Sequence, residues 1–152
     1  RVTLSDVSQS ALQVAAKNAR ELGAHVQVIQ SDLFAALHNQ RFDLIVTNPP
    51  YVDRADQALM DPAVLKYEPE LALYADEHGL GFYRRLFEEV SGHLTPHGDL
   101  FGETGFDQEE SIQALFHRLN PGAKIKPRHD VAGKMRMIHG WDFLDTGGNQ
   151  KQ

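Results

Sequence analysis

A doubly wound, mostly parallel α/β sheet closed by an antiparallel hairpin is the architecture that this 152-residue sequence predicts. Two observations predict it. Short apolar runs alternate with longer stretches whose apolar residues recur at three- and four-residue spacing, the strand–helix alternation that builds a parallel sheet. The runs also end in polar or turn-forming residues, namely Asp6, Asp32, Asn48-Pro49-Pro50-Tyr51 and Glu103-Thr104-Gly105. In such sheets ligands bind beyond the carboxyl ends of the strands. Composition agrees with a globular domain, at 41% hydrophobic and 24% charged. No apolar run reaches the ~18 residues of a membrane span. With no Cys, neither disulfides nor thiolate metal sites are available. Lys plus Arg is 15 and Asp plus Glu is 21, a net charge of −6, which implies no broad phosphate-binding surface.

Taken in order, Val2-Thr3-Leu4 reads as a strand ending in the acidic turn Ser5-Asp6-Val7-Ser8. Ala11, Leu12, Ala15, Ala16, Ala19 and Leu22 then mark one face of a helix over Gln9–Leu22, with Ser8 as N-cap and Gly23 as stop. Val26–Gln30 is a second strand before Ser31-Asp32, and a short helix is expected around Leu33–His38. Phe42–Thr47 is a third strand, whose nearly continuous apolar run predicts cover on both faces. Two prolines then end sheet pairing. Val52–Asp76 is irregular, broken by Pro62 and Pro69, and long enough to be a functional loop or a lid with short helices. Phe82, Leu86, Phe87 and Val90 give one side of a helix over Gly81–His93, and Leu94–Gly98 reads as a turn. Asp99–Glu103 is a strand, and Asp107 is the expected N-cap of a helix to Leu119. Ala123–Pro127 and Met135–His139 are the two closing strands, and Asp145–Gln152 reads as a flexible polar tail after a domain over residues 1–144.

The strand ends carry the chemistry. An acid at the position of Asp6 accepts hydrogen bonds from ribose hydroxyls or serves the dipole of the helix that follows. Asp32 has the same two readings, its ligand in the first being the exocyclic amine of an adenine, with neighbouring backbone groups completing the edge. Asn48-Pro49-Pro50-Tyr51 is more specific. A double proline fixes the backbone, so the Asn48 side chain and the Pro49 carbonyl offer two acceptors for the two hydrogens of a planar NH₂ group. That favours a pyramidal nitrogen with an exposed lone pair, able to attack an electrophilic methyl in line. Tyr51 supplies a stacking face, and positioning is the main contribution for so poor a nucleophile. His93 and His97 are four apart, but Pro96 breaks a helix there, so no zinc pair is expected. Arg84 and Arg85 read as solvated, Glu103 as either a cofactor neighbour or a strand-end residue, and Asp130 with Arg136 as an ion pair across the last hairpin.

The order Asp6, Asp32, Asn48-Pro49-Pro50-Tyr51 resembles a class I, Rossmann-like, S-adenosylmethionine-dependent methyltransferase of the amino-group type. Adenine N6 methyltransferases of DNA or RNA and the HemK-like glutamine N5 methyltransferases share the tetrapeptide. The rest resembles the second branch. Ser5-Asp6-Val7-Ser8 with Ala11-Leu12 and Ala16-Lys17-Asn18-Ala19 is similar to that family's second strand and helix. Tyr67–Leu73 with Gly79–Arg84 is similar to its loop and helix after the tetrapeptide, and Asp130–Arg136 to its closing hairpin. The likeness runs over roughly residues 2–143. It implies Asp6 on the cofactor ribose, Asp32 and Leu33 near the adenine, and Asn48 beside the cofactor. It implies that Asn48, with the Pro49 carbonyl, holds a glutamine amide, that Pro50 shapes the turn and that Tyr51 packs near the substrate. The implied substrate is the Gly-Gly-Gln loop of peptide chain release factors, or a ribosomal protein in a sister group, and the implied location is cytoplasmic.

The sequence departs from the family pattern at its start. The glycine-rich cofactor loop and the first strand are absent, and the chain opens at Arg1 with no Met, so a piece of a longer protein is expected. The resemblance makes that strand central, so the strands ending at Asp6 and Asn48 should each have an open edge. The expectation is a partial catalytic domain that binds S-adenosylmethionine poorly by itself. Two other readings compete with glutamine methylation: an adenine N6 methyltransferase, which the net charge disfavours, and a non-catalytic fragment that acts as an interaction module.

Overall fold

The computed structural model describes residues 1–143, and they form two compact units, 1–40 and a second that begins at Arg41. The tail read from Asp145 lies outside the described residues.

In the first unit, β1 (Val2–Asp6) and β2 (Val26–Gln30) pair in parallel, from Val2 opposite Val26 to Asp6 opposite Gln30. Helix α1 (Gln9–Glu21) connects them and buries Leu12 and Ala19. Ser8 is its N-cap, the hydroxyl accepting from the Ala11 N–H at 3.2 Å. Gly23, at φ +65°, ends it as expected. The helix expected around Leu33–His38 is instead a run of turns, with Ala35 N–H bonded to the Asp32 carbonyl and Leu37 N–H to that of Phe34. Leu33 and Asn39 stand at φ +48° and +60°, left-handed conformations that no right-handed helix can contain.

The second unit holds a four-stranded sheet in the order β3 (Phe42–Thr47), β4 (Leu94–Glu103), β6 (Met135–Trp141), β5 (Lys124–His129). The β3–β4 pair is parallel, and the β4–β6 and β5–β6 pairs are antiparallel. The expected turn at Leu94–Gly98 lies inside β4. Phe42 faces Leu94 but Leu44 faces Asp99, so the residues between bulge out of the ladder. Cover on both faces of β3 is not found, since Leu44 is 54% and Val46 70% exposed. The reason is position: β3 is the edge of its sheet and β1 of its own, each with one hydrogen-bonded neighbour.

Between β3 and β4 the chain makes a 3₁₀ helix (Arg54–Leu59), α2 (Pro62–Tyr67), α3 (Glu70–Leu73), the turn-like α4 (Asp76–Gly79) and α5 (Gly81–His93). Helix α6 (Glu109–Leu119) follows β4. The core of this unit joins Tyr83, Leu86, Phe87 and Val90 of α5, Ile112 and Phe116 of α6, and Leu100, Met135 and Ile138 of the sheet, all fully buried. Phe87 and Phe116 meet edge to face at 5.0 Å. The buried Asn120 amide donates to the Phe87 carbonyl at 2.9 Å and ties the end of α6 to α5. The Asp130–Arg136 ion pair forms at 3.0 Å, and the same carboxylate accepts from the Ala132 and Lys134 N–H groups, closing the hairpin turn. Arg84 is not simply solvated, because its guanidinium pairs with Glu77 at 2.8 Å and Glu88 at 3.4 Å.

Candidate functional site

In the first unit the two acids end neighbouring parallel strands. Asp6 is the last residue of β1, and Asp32 stands two residues past the end of β2, whose Gln30 faces Asp6. Both are exposed. One Asp6 carboxylate oxygen accepts from the Ser8 N–H at 2.7 Å, which anchors the side chain at the entry to α1. The two readings of this acid are therefore compatible: it serves the helix start while remaining open to solvent. The Ser31 hydroxyl donates to the Leu33 carbonyl at 2.8 Å and accepts from the Ala36 N–H at 3.0 Å. These bonds hold Leu33 in its left-handed turn. An open cleft of about 330 Å³ lies beside Asp32, lined by Val7, Gln30, Ser31, Asp32, Ala35 and Ala36.

In the second unit Asn48-Pro49-Pro50-Tyr51 follows β3 directly, with Asn48 exposed, Pro49 buried, and Pro50 and Tyr51 half-buried. Tyr51 is held at both ends. Its hydroxyl donates to the Glu103 carboxylate at 2.9 Å, and its carbonyl accepts from the Gln108 side-chain amide at 3.0 Å. Glu103 is the last residue of β4, the parallel neighbour of β3. Its own carbonyl accepts from the buried Tyr83 hydroxyl at 2.5 Å. Partial burial, then the Glu103 carboxylate as acceptor and negative neighbour, push the Tyr51 hydroxyl above the ordinary tyrosine range, with Arg136 pulling the other way. Tyr51 thus stays protonated, a neutral donor and ring face at neutral pH.

The sequence leaves the role of Glu103 open, gives Gly79 only as the start of the Gly79–Arg84 likeness, and assigns nothing to Gln108. Gln108, not Asp107, is the N-cap of α6, and its side chain makes no cap bond to that helix. It turns back to accept from the Gly105 N–H at 3.0 Å while donating to Tyr51. Gly79 stands at φ +80°, where a Cβ would fall on the Tyr51 carbonyl oxygen and the Gln108 amide nitrogen. The signal in sequence was faint: a glycine before a helix, and a polar residue where a cap was already assigned.

The order of strands and helices is that of a class I methyltransferase fold. A family model described as Methyltransferase small domain matches residues 1–66. The crystal structure of a methyltransferase from Pyrococcus furiosus superposes with a TM-score of 0.70 at 19% identity, over 95% of this chain and 64% of that one. A Thermus thermophilus 16S rRNA methyltransferase, solved in complex with AdoMet and guanosine, superposes with a TM-score of 0.57 at 18% identity, over 91% of this chain and 30% of that one. The release factor glutamine methyltransferase of Lactococcus lactis is 39% identical over 137 residues, 90% of this chain and 50% of its own length. The chain is similar to release factor glutamine methyltransferases over 90% of its own length, and it spans about half the length of the curated relatives it matches.

Proposed function

We propose that this chain is the methyl-transfer part of a protein-glutamine N5 methyltransferase that uses S-adenosylmethionine and acts on the Gly-Gly-Gln loop of peptide chain release factors. The observation that carries the reading is the Asn48-Pro49-Pro50-Tyr51 turn at the carboxyl end of β3, with Tyr51 gripped at both ends. The names of the similar full-length proteins agree with it. The reading places the protein in the cytoplasm with the translation apparatus.

The first unit fits the cofactor by its chemistry. Asp6 would hold the ribose hydroxyls, since an exposed carboxylate with one oxygen already anchored has acceptor capacity left. The cleft beside Asp32 has apolar walls at Val7, Ala35 and Ala36 and a polar edge at Ser31 and Asp32, a lining that suits adenine, with Leu33 next to it. Bound S-adenosylmethionine supplies an electrophilic methyl on a sulfonium sulfur.

The remaining steps belong to the turn. The Asn48 side-chain oxygen and the Pro49 carbonyl accept the two hydrogens of the glutamine amide and aim its nitrogen lone pair. Pro50 holds the backbone that makes this pair converge, and the Tyr51 ring packs on the flat amide. Orientation replaces strong nucleophilicity. The proton leaves the methylated nitrogen to water, so no side chain acts as a general base.

The test is transfer of labelled methyl from S-adenosylmethionine to a purified release factor by the full-length protein that carries this chain. Label on the glutamine of Gly-Gly-Gln, lost when that glutamine is replaced, is the expected result. Label on a ribosomal protein instead would keep the chemistry and change the substrate. Label on adenine in DNA or RNA, or on nothing, would overturn the reading.

A further inference from the structure

Gln108 makes three hydrogen bonds that join segments far apart in sequence. Its side-chain oxygen accepts from the Gly105 N–H at 3.0 Å. Its amide nitrogen donates to the Tyr51 carbonyl at 3.0 Å and to the His78 carbonyl at 3.5 Å. The residue is buried, at 7% exposure. A buried group that both accepts from an N–H and donates to two carbonyls must be a primary amide. A carboxylate would set negative charge against two carbonyl oxygens, and an aliphatic side chain would leave all three backbone groups without this partner.

The neighbourhood leaves the amide little freedom. Gly79, next to His78, has no room for a Cβ between the Tyr51 carbonyl and the Gln108 nitrogen. On the other side, a Cβ at Gly105 would press on the Gln108 side chain at 3.1 Å. The Tyr51 peptide is therefore gripped between the turn that ends in Gly79 and the turn that starts α6. Glu103, five positions before Gln108 in the same β4–α6 segment, holds the far end of the Tyr51 side chain.

We infer that Gln108 is the positioning residue of the methyl-transfer site, setting the Asn48-Pro49-Pro50-Tyr51 turn through the Tyr51 carbonyl and never touching substrate. This rests on the methyl-transfer reading above. Tyr51 is the only residue of that turn with a carbonyl that Gln108 holds among the described bonds, so the amide acts at the turn's exit while the prolines stiffen its middle. Losing the bond frees the turn to shift, and a displacement of about 1 Å at a reacting group can cost ~10²-fold in rate.

The experiment compares Gln108→Leu and Gln108→Glu with Asn120→Ala in the full-length protein. Asn120 is a buried amide at the other end of α6 that bonds the Phe87 carbonyl, so its loss weakens the same helix without touching the turn. Three readouts are taken: kcat on a release factor, the dissociation constant for S-adenosylmethionine by calorimetry, and the Tyr51 resonance in protein labelled with ¹³C-tyrosine. For both Gln108 variants the expected kcat falls about 10²-fold, cofactor affinity is unchanged and the Tyr51 resonance moves. For Asn120→Ala, melting temperature drops but kcat and the Tyr51 resonance stay. Equal kcat losses in Asn120→Ala and Gln108→Leu would overturn the proposal, as would a Tyr51 resonance that Gln108→Leu leaves in place. If the unaltered protein methylates no release factor, the functional reading fails by itself, and the Tyr51 resonance still decides whether Gln108 sets the turn.

Discussion

The Tyr51 hydroxyl donates to the Glu103 carboxylate over 2.9 Å, so the turn after β3 is bound to the end of its parallel neighbour β4. Burial and the adjacent carboxylate together raise the Tyr51 pKa. Glu103→Gln keeps an acceptor oxygen and removes the charge. Its Tyr51 pKa should fall toward the ordinary value and remain above it, because burial, the larger cause, persists. A pH titration of ¹³C-labelled tyrosines, assigned with Tyr51→Phe, measures this. An unmoved titration would mean that the pair does not form in solution.

Gly79 and Gly133 make a matched test of packing around that turn. Both have positive φ, +80° and +74°. A Cβ on Gly79 would strike the Tyr51 carbonyl, whereas one on Gly133 meets nothing within 4 Å. Either Ala variant carries the left-handed cost of roughly 1–2 kcal/mol. Gly79→Ala adds overpacking of about 1–3 kcal/mol, and it alone should reduce methyl transfer. Urea unfolding of the two variants checks the difference. Equal destabilisation would show that the Gly79 contact yields easily.

What was legible in the sequence was what is decided locally. The bounds of β2, β3 and α5 follow from apolar period and breakers, and all three fall where those signals put them. The Asn48–Tyr51 turn was readable because two prolines stiffen the chain whatever surrounds it. Leu33 was not, because its left-handed conformation is held by Ser31 side-chain bonds that leave no periodic trace. Gln108 was not, because its partner lies 57 positions away. The apolar run of β3 predicted burial on both faces. Sequence pattern cannot tell a central strand from one at a sheet edge, and β3 is at the edge.

Asp130 predicts a pH dependence in the closing hairpin. The Lys134 N–H, then Arg136, then the Ala132 N–H hold its carboxyl below the ordinary 3.8. A carboxylate depressed in the folded state stabilises fully above its unfolded pKa and loses that contribution as pH falls through the lower folded value. Asp130→Asn should therefore be less stable than the unaltered protein at neutral pH, with the gap closing only below the ordinary carboxylate range. Thermal melts from neutral to strongly acid pH measure it. A gap that closes near neutrality, or never, would assign the hairpin's stability elsewhere.

Asn48 separates folding from chemistry most cleanly. It is exposed directly after β3, so Asn48→Ala should change stability by no more than about 0.5 kcal/mol. Its proposed work is to hold one hydrogen of the glutamine amide while the Pro49 carbonyl holds the other. Loss of one preorganised hydrogen-bond partner at a reacting centre costs roughly 10²–10³ in kcat. In the proposed reading the substrate is a whole protein and one amide is a small share of what it presents, so KM should change far less than kcat. Steady-state methylation by the full-length protein, with Asn48→Ala beside the unaltered protein, measures both. A raised KM with kcat intact would make Asn48 a docking residue. An intact kcat and KM would remove it from the site and leave Pro49 without the second acceptor that the mechanism needs.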